Sequence, residues 1–128
     1  MKTILVDAMG TFVIEGEGIY QPLYELLEQY PNRKIVLTMA LDEKMEEWGL
    51  NKLPYEVFTS KLDPKKSSPE YYTLVLEKFG LNKDAVVLFE HDPEAVTSAQ
   101  SLGVTAYHYD SEKKDLDALK AFLDGNLN

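Results

Sequence analysis

The sequence predicts an α/β fold in which a doubly wound, parallel, five-stranded sheet lies between two layers of helices. Short apolar runs rich in β-branched residues alternate with longer segments whose apolar residues recur with helical period. The predicted strands are Thr3–Asp7, Lys34–Thr38, Glu56–Thr59, 85–90 and 104–109. Because this alternation builds βαβ units, we expect a Rossmann-like architecture of three layers.

The helices are marked by their periodicity and by their ends. Apolar residues recur at positions i, i+3, i+4 and i+7 in the segments 23–30 and 72–79, which we interpret as amphipathic helices. Asp92 followed by Pro93 has the order of an N-cap and a first-turn proline. A last helix is predicted over residues 111–124, after the last strand.

Length and composition indicate a single domain over residues 1–128. Of these residues 45% are hydrophobic, which is enough for one sizeable core. The 13 basic and 22 acidic residues leave a net charge of −9, so we expect no binding to nucleic acid. No cysteine is present to act as nucleophile, metal ligand or disulfide partner. The first apolar run, residues 4–6, is too short for a signal sequence or a membrane span, so we expect a cytoplasmic protein without a membrane anchor.

Polar residues stand where the predicted strands end. In doubly wound sheets, ligands bind beyond the carboxyl ends of the strands. These ends carry Asp7, Thr38, Thr59, Glu90, His91 and Asp92. Each has a second, purely structural interpretation: an Asp before a turn often caps its own backbone, and a Thr is a common β-former. The order of the motifs along the chain therefore distinguishes a ligand-binding role from a structural one.

Four ordered motifs resemble those of the haloacid-dehalogenase-like (HAD-like) hydrolase superfamily. The family's first motif, Asp-x-Asp-Gly-Thr after a hydrophobic strand, is similar to Asp-Ala-Met-Gly-Thr from Asp7 to Thr11. Thr38 matches the second motif, and Lys66, in Lys-Ser-Ser-Pro-Glu, matches the third. The strand, acidic loop and proline at 86–93 resemble the fourth motif. The resemblance covers nearly the whole chain and implies a HAD-like core.

The resemblance also implies roles for individual residues. Asp7 would be the nucleophile that attacks phosphorus, with Thr38 and Lys66 holding the oxygens of the transferring group. In an active member, Mg²⁺ would bridge Asp7 to acidic residues of the fourth motif. The loop expected to bind the transferring group contains Met9, Gly10 and Thr11.

The chain departs from the family pattern in the first and fourth motifs. Met9 stands where phosphatases carry the Asp that protonates the leaving group, and a thioether cannot carry that proton. His91 aligns with the metal-binding Asp and Ala95 with a second acid, although imidazole is a poor ligand for Mg²⁺. We therefore expect no metal. If a metal binds, its ligands would come from Asp7, Glu90, His91 and Asp92. Without a metal, the buried Asp7 carboxylate at the end of the central strand needs another charge partner, so we predict the Lys66 ammonium within salt-bridge distance of it.

The segment between the first two motifs is short. Residues 8–37 have room for a small flap at 12–19 and one helix, so we predict a capless core. The haloacid dehalogenases themselves carry Asp-Ala-Tyr-Gly-Thr and need no metal, but the resemblance implies a cap that this chain has no room for. Capless relatives generally act on large substrates or are completed by a partner.

Two functions remain open from the sequence. The first is a HAD-like protein with a degraded phosphohydrolase site, without efficient Mg²⁺-dependent phosphatase activity, that binds a small phosphorylated ligand or a protein partner and needs no cofactor. The alternative is an active hydrolase that uses Asp7 as nucleophile, with Mg²⁺ or another ion in an unusual metal site. The oligomeric state is left open.

Overall fold

The elements form in the predicted order. The computed structural model describes residues 1–127. In chain order, its elements are β1 (Thr3–Asp7), β2 (Val13–Ile14), β3 (Gly18–Ile19), α1 (Gln21–Leu27), β4 (Lys34–Thr38), α2 (Asp42–Glu47), β5 (Glu56–Thr59), α3 (Pro69–Phe79), β6 (Val86–Glu90), α4 (Pro93–Ser101), β7 (Thr105–His108) and α5 (Leu116–Asn126). Three of the predicted strands, β1, β4 and β5, have the bounds read from the sequence.

The other boundaries differ for local reasons. Strand β6 begins after Ala85 because residues Lys83–Ala85 form a 3₁₀ turn, in which the Asn82 side chain accepts a hydrogen bond from the Asp84 backbone N–H. The last helix was predicted to begin at residue 111, which is wrong. It begins at Leu116 because the Asp115 carboxylate caps it by accepting from the Ala118 N–H.

The main sheet has the order β5-β4-β1-β6-β7, and each neighbouring pair is parallel. Strand β1 is therefore central, as predicted for the strand that ends in Asp7. The chain builds one half of the sheet through β4 and β5, then crosses over to β6 and β7 on the other side. This reversal beside β1 is the switch point at which doubly wound sheets bind ligands.

Alternating strand residues divide the interior into two apolar clusters. Ile4 and Val6 of β1 face a cluster that includes residues of α1 and α5, whereas Leu5 faces a cluster that includes residues of α3 and α4. Both faces of the sheet are covered, which explains why its central strands are continuous apolar runs. The result is the predicted three-layer fold.

Two small structures stand beyond the carboxyl ends of the strands. Strands β2 and β3 pair as an antiparallel hairpin, the flap expected at 12–19. Helix α2 and a 3₁₀ turn at Leu50–Lys52 follow β4. Within residues 1–127 there is no inserted cap domain, in agreement with the predicted capless core. Over the same residues, no helix combines the length and the apolar character needed to cross a membrane.

Candidate active site

Asp7 ends the central strand and is almost completely buried, with 2% of its surface exposed. The chain turns immediately after it, and Gly10 adopts a φ of +92°, a conformation that side-chain-bearing residues rarely adopt. The Thr11 hydroxyl donates a hydrogen bond of 2.6 Å to Asp7 Oδ2. The first motif thus folds back so that its threonine stabilises its own aspartate.

Lys66 reaches the same carboxylate from the loop before α3. Its Nζ lies 2.6 Å from Asp7 Oδ1 and 3.1 Å from Glu90 Oε1, and the side chain is buried. The motif order predicted this salt bridge to Asp7, and the structure confirms it. One buried ammonium is therefore shared between two buried carboxylates.

Glu90 is a full member of the site, although the sequence identified it only as one of several residues flanking the fourth motif. It ends β6 with 1% of its surface exposed. Its Oε2 accepts a hydrogen bond from the Asp92 N–H at 3.0 Å. The register pairs Val6 with Phe89, so the next residues, Asp7 and Glu90, are brought side by side. In the sequence, the only signal for this role was that Glu90 is an acidic residue at the end of an apolar strand.

His91 contacts Asp7 directly. Its Nδ1 lies 2.6 Å from Asp7 Oδ2 and 3.2 Å from Glu90 Oε2, and its backbone N–H also points to Asp7 Oδ2 at 3.3 Å. The ring occupies the space above Gly10, where a Cβ would come within 2.6 Å of the imidazole Cε1. Gly10 is thus required both for its backbone conformation and for the space that His91 fills.

The charges of these groups are strongly coupled. Burial acts to raise the pKa of Asp7, but Lys66 and His91 outweigh it, and the pKa falls well below its usual value. Burial, opposed by Lys66, raises the pKa of Glu90. Hydrogen bonds to Asp7 and Glu90 raise the pKa of His91 to about 10. At neutral pH the ring is therefore an imidazolium beside an ionised Asp7.

The remaining predicted site residues lie around this network. Thr38 lines the same cleft, as predicted, with its hydroxyl oxygen accepting from the Ala40 N–H. Met9 lines the cleft from the flap side. Asp92 caps α4 by accepting from the Glu94 N–H, which confirms its expected structural role. Ala95 is fully buried in the apolar cluster on the α3–α4 side of the sheet.

The candidate donor set for a cation combines carboxylate oxygens with an imidazole nitrogen. Asp7, Glu90 and His91 offer ligand atoms within 4.8 Å of one another. However, Mg²⁺ prefers an octahedron of oxygen atoms, and here one of the three donors is an imidazole nitrogen. That nitrogen is already hydrogen-bonded to Asp7, so an ion could reach both groups only if the ring moved.

No protein-family model matches the sequence, and no curated protein matches it. The fold, in contrast, matches solved structures of HAD-like proteins along almost its whole length. It is the HAD-like fold, as the order of the motifs predicted.

Particular structures show the extent of the likeness. A HAD family enzyme from Bacteroides thetaiotaomicron, in complex with magnesium and inorganic phosphate, is 14% identical with a TM-score of 0.75, covering 93% of this chain and 98% of that one. The core domain of a protein assigned as a phosphoglycolate phosphatase from Streptococcus pneumoniae is 18% identical with a TM-score of 0.63. That match covers 95% of this chain and 96% of the other. At these identities the likeness concerns the fold.

Proposed function

We propose that this protein binds a ligand at the Asp7 cleft, the cavity of about 660 Å³ that opens above Asp7, without efficient Mg²⁺-dependent hydrolysis of phosphate esters. The observation that carries the proposal is the hydrogen-bond network around Asp7. Lys66 holds Oδ1, while Thr11 and His91 hold Oδ2. A carboxylate stabilised by two cationic side chains and a hydroxyl is a weaker nucleophile toward phosphorus than a free carboxylate.

The residue two positions after Asp7 supports the same conclusion. A leaving alkoxide needs a proton, and general acid catalysis contributes about 10²–10⁴-fold to such reactions. Met9 lines the cleft but has no proton to give. Loss of the general acid and stabilisation of the Asp7 carboxylate by its hydrogen bonds therefore act on the same step.

His91 explains how the site persists without Mg²⁺. Two buried carboxylates repel each other unless cations lie between them. Lys66 and the protonated His91 together supply two positive charges against those of Asp7 and Glu90. The network is neutral when all four groups are charged, so it gains little from a further cation.

The charge of the cleft favours a protein partner over a phosphorylated small molecule. Lys66 already serves two carboxylates, so little of its charge is left for a phosphate dianion. Beyond the network, the cleft is lined by Glu43, Asp92 and Glu94 but only two further lysines. A doubly charged phosphate would meet as much repulsion as attraction.

A metal-dependent hydrolase is the second candidate function, and one observation favours it. Asp7, Glu90 and His91 could together bind Zn²⁺ or Mn²⁺, because all three ligand atoms lie within 4.8 Å of one another. Such an ion would supply positive charge to the phosphoryl oxygens. His91 would then have to be neutral, and its hydrogen bond to Asp7 would have to open.

An assay with an aryl phosphate across Mg²⁺, Mn²⁺, Zn²⁺ and EDTA tests the two candidates. We expect the protein to release no more product with Mg²⁺ than its Asp7→Asn variant, because neither the nucleophile nor the acid is available. Turnover of about 1 s⁻¹ or faster with Mg²⁺, within the normal range of enzymes, would contradict the proposal. Asp7-dependent turnover with Mn²⁺ or Zn²⁺ alone would establish the second candidate.

A further inference from the structure

We propose that the mouth of the Asp7 cleft and the neighbouring flap groove bind a basic, amphipathic peptide segment of a partner protein. The flap groove is the cavity of about 630 Å³ between α2 and the flap tip, lined by Met9, Lys44, Glu47, Trp48 and residues 15–18. This inference rests on the proposed function, because it names the chemistry of the ligand that the Asp7 cleft would bind.

The mouth of the cleft is unusually apolar for a surface. Leu41 is 46% exposed and Leu62 is 58% exposed, and both line the cleft. Among residues 1–127 only four large hydrophobic residues are this exposed, so two of the four stand at one opening. Concentrated apolar surface of this kind marks a binding site, whereas single exposed leucines need no explanation.

Half-buried side chains continue this apolar surface into the cleft. Met39 and Trp48 line the Asp7 cleft together with Met9. Methionine adapts its shape to different apolar partners, and tryptophan supplies a large rigid contact area. Met9 and Trp48 also line the flap groove, so the two cavities meet along one wall.

The joined surface has an acidic margin. At the flap tip, Glu15 and Glu17 are exposed and line the flap groove. The lysine of this groove, Lys44, already pairs with Glu47 at 3.1 Å. An apolar floor with carboxylates along its edge is complementary to a peptide that presents leucine-like side chains between lysines or arginines.

The same charge argues against a second copy of this chain as the occupant. In a two-fold dimer the acidic margin would face its own copy, and the chain carries a net charge of −9. A small molecule is disfavoured by size, because the two cavities together exceed the range of about 300–1,000 Å³ typical of small-ligand pockets. A basic segment of another protein satisfies both the charge and the extent of the surface.

Trp48, the only tryptophan, makes the proposal testable by fluorescence of the intact protein. The probe is a synthetic amphipathic peptide of leucine and lysine, compared with a leucine–glutamate peptide and a lysine–serine peptide of equal length. We expect a saturable change of Trp48 emission with the leucine–lysine peptide, at least about tenfold weaker binding of the other two, and binding that weakens as salt increases.

Exposed residues supply variants that should not disturb folding. Leu41→Ser with Leu62→Ser should weaken binding of the leucine–lysine peptide about tenfold or more, because its apolar contacts are lost. Glu15→Gln with Glu17→Gln should weaken binding mainly at low salt and reduce its salt dependence. The matched controls, Leu74→Ser on α3 and Glu25→Gln with Glu112→Gln, should leave binding unchanged.

Several results would overturn the proposal. Trp48 emission could fail to respond to the leucine–lysine peptide, the leucine–glutamate peptide could bind equally well, or the control variants could weaken binding as much as the cleft variants. Sedimentation that shows self-association dependent on Leu41 and Leu62 would assign the surface to a second copy. Aryl phosphate hydrolysis would contradict the proposed function separately, because the peptide titration is read without turnover.

Discussion

The imidazole of His91 lies against the buried carboxylates of Asp7 and Glu90. It can lie there because Gly10 has no side chain. The ring is held through its Nδ1, which lies 2.6 Å from Asp7 Oδ2 and 3.2 Å from Glu90 Oε2. Under the proposed function, the positive charge beside these two carboxylates is supplied by the chain itself and not by a bound ion.

The protonation of His91 is directly measurable. We expect an apparent pKa of about 10 for His91 by NMR titration, because hydrogen bonds to Asp7 and Glu90 outweigh its partial burial. The chain contains only two histidines, so His108 is the internal comparison. A His91 pKa at or below 6.5 would show that the ring is neutral at physiological pH and would favour the metal-dependent candidate.

The same shift predicts how stability depends on pH. The pKa of His91 is higher in the folded protein than in the unfolded chain, so its contribution is complete below about pH 6.5 and is lost as pH rises toward about 10. The urea concentration at the midpoint of unfolding should therefore decrease as the pH is raised from about 7 to about 9. His91→Gln should remove this slope, and His108→Gln should retain it.

Lys66 has the largest expected effect on stability. Lys66→Met would leave the buried carboxylates of Asp7 and Glu90 without their shared ammonium, at a cost of about 3–5 kcal/mol in the free energy of unfolding. Urea titration measures this cost. The exposed neighbour provides the matched control, because Lys65→Met should change the free energy by no more than about 0.5 kcal/mol.

A Lys66→Met protein that does not fold is still informative. Adding Asp7→Asn and Glu90→Gln should restore folding, because no buried charge then lacks a partner. Equal stability of the Lys66→Met and Lys65→Met proteins would instead show that the buried ion pairs contribute nothing.

At the scale of elements, strand register and helix caps position the site. Parallel pairing of β1 with β6 brings their last residues together at one edge of the sheet. Helix α4 begins at Pro93 because the Asp92 carboxylate caps it, while the Asp92 backbone N–H donates to Glu90. The ionisable side chains of the site thus lie at the ends of strands, whereas the side chain at the start of α4 is a structural cap.

Helix α2 is expected to be the least protected helix. None of its residues, Asp42–Glu47, is buried, so little apolar contact opposes its local unfolding. Hydrogen exchange should show its amides exchanging faster than those of α3, which buries three residues, while β1 should exchange slowest. Equal protection of α2 and α3 in the free protein would contradict this and would imply contacts that stabilise the wall of the cleft.

At the scale of the whole molecule, the doubly wound topology supplies the framework of a metal site. It brings the ends of β1 and β6 together, with Asp7 and Glu90 already buried side by side. By comparison with the family pattern, Met9 has no proton to donate to a leaving group, and His91 offers a nitrogen where the pattern has an oxygen ligand. Under the proposed function, the fold keeps this framework while Met9 and His91 oppose phosphoryl transfer.

Replacing both side chains with aspartate tests this view. The double variant Met9→Asp, His91→Asp removes a cation and adds carboxylates, so Mg²⁺ should bind where His91 lay. At Mg²⁺ about 100-fold above its dissociation constant, the free energy of unfolding should rise by about 2.7 kcal/mol. The wild-type protein and Met9→Asp alone, which keep His91, are the controls. A folded double variant that does not respond to Mg²⁺ would contradict the placement of His91 at the metal position.

Much of the fold could be predicted because it depends on local patterns. The apolar runs at Thr3–Asp7, Lys34–Thr38 and Glu56–Thr59 gave strands with the predicted bounds. The last helix was misplaced at its start because several residues before it were compatible with a helix, and only the Asp115 cap decides where it begins. Boundaries of this kind depend on side-chain hydrogen bonds that no periodicity records.

The sequence by itself determined the order of the elements, the central strand that ends in Asp7, and the pairing of Asp7 with Lys66. These follow from hydrophobic periodicity and from motifs that need only be present in order. Only the tertiary structure decided that Glu90 joins them and that His91 turns its ring onto Asp7. That outcome depends on the register between β1 and β6 and on the space above Gly10. Both are set by contacts between residues that are far apart in the chain.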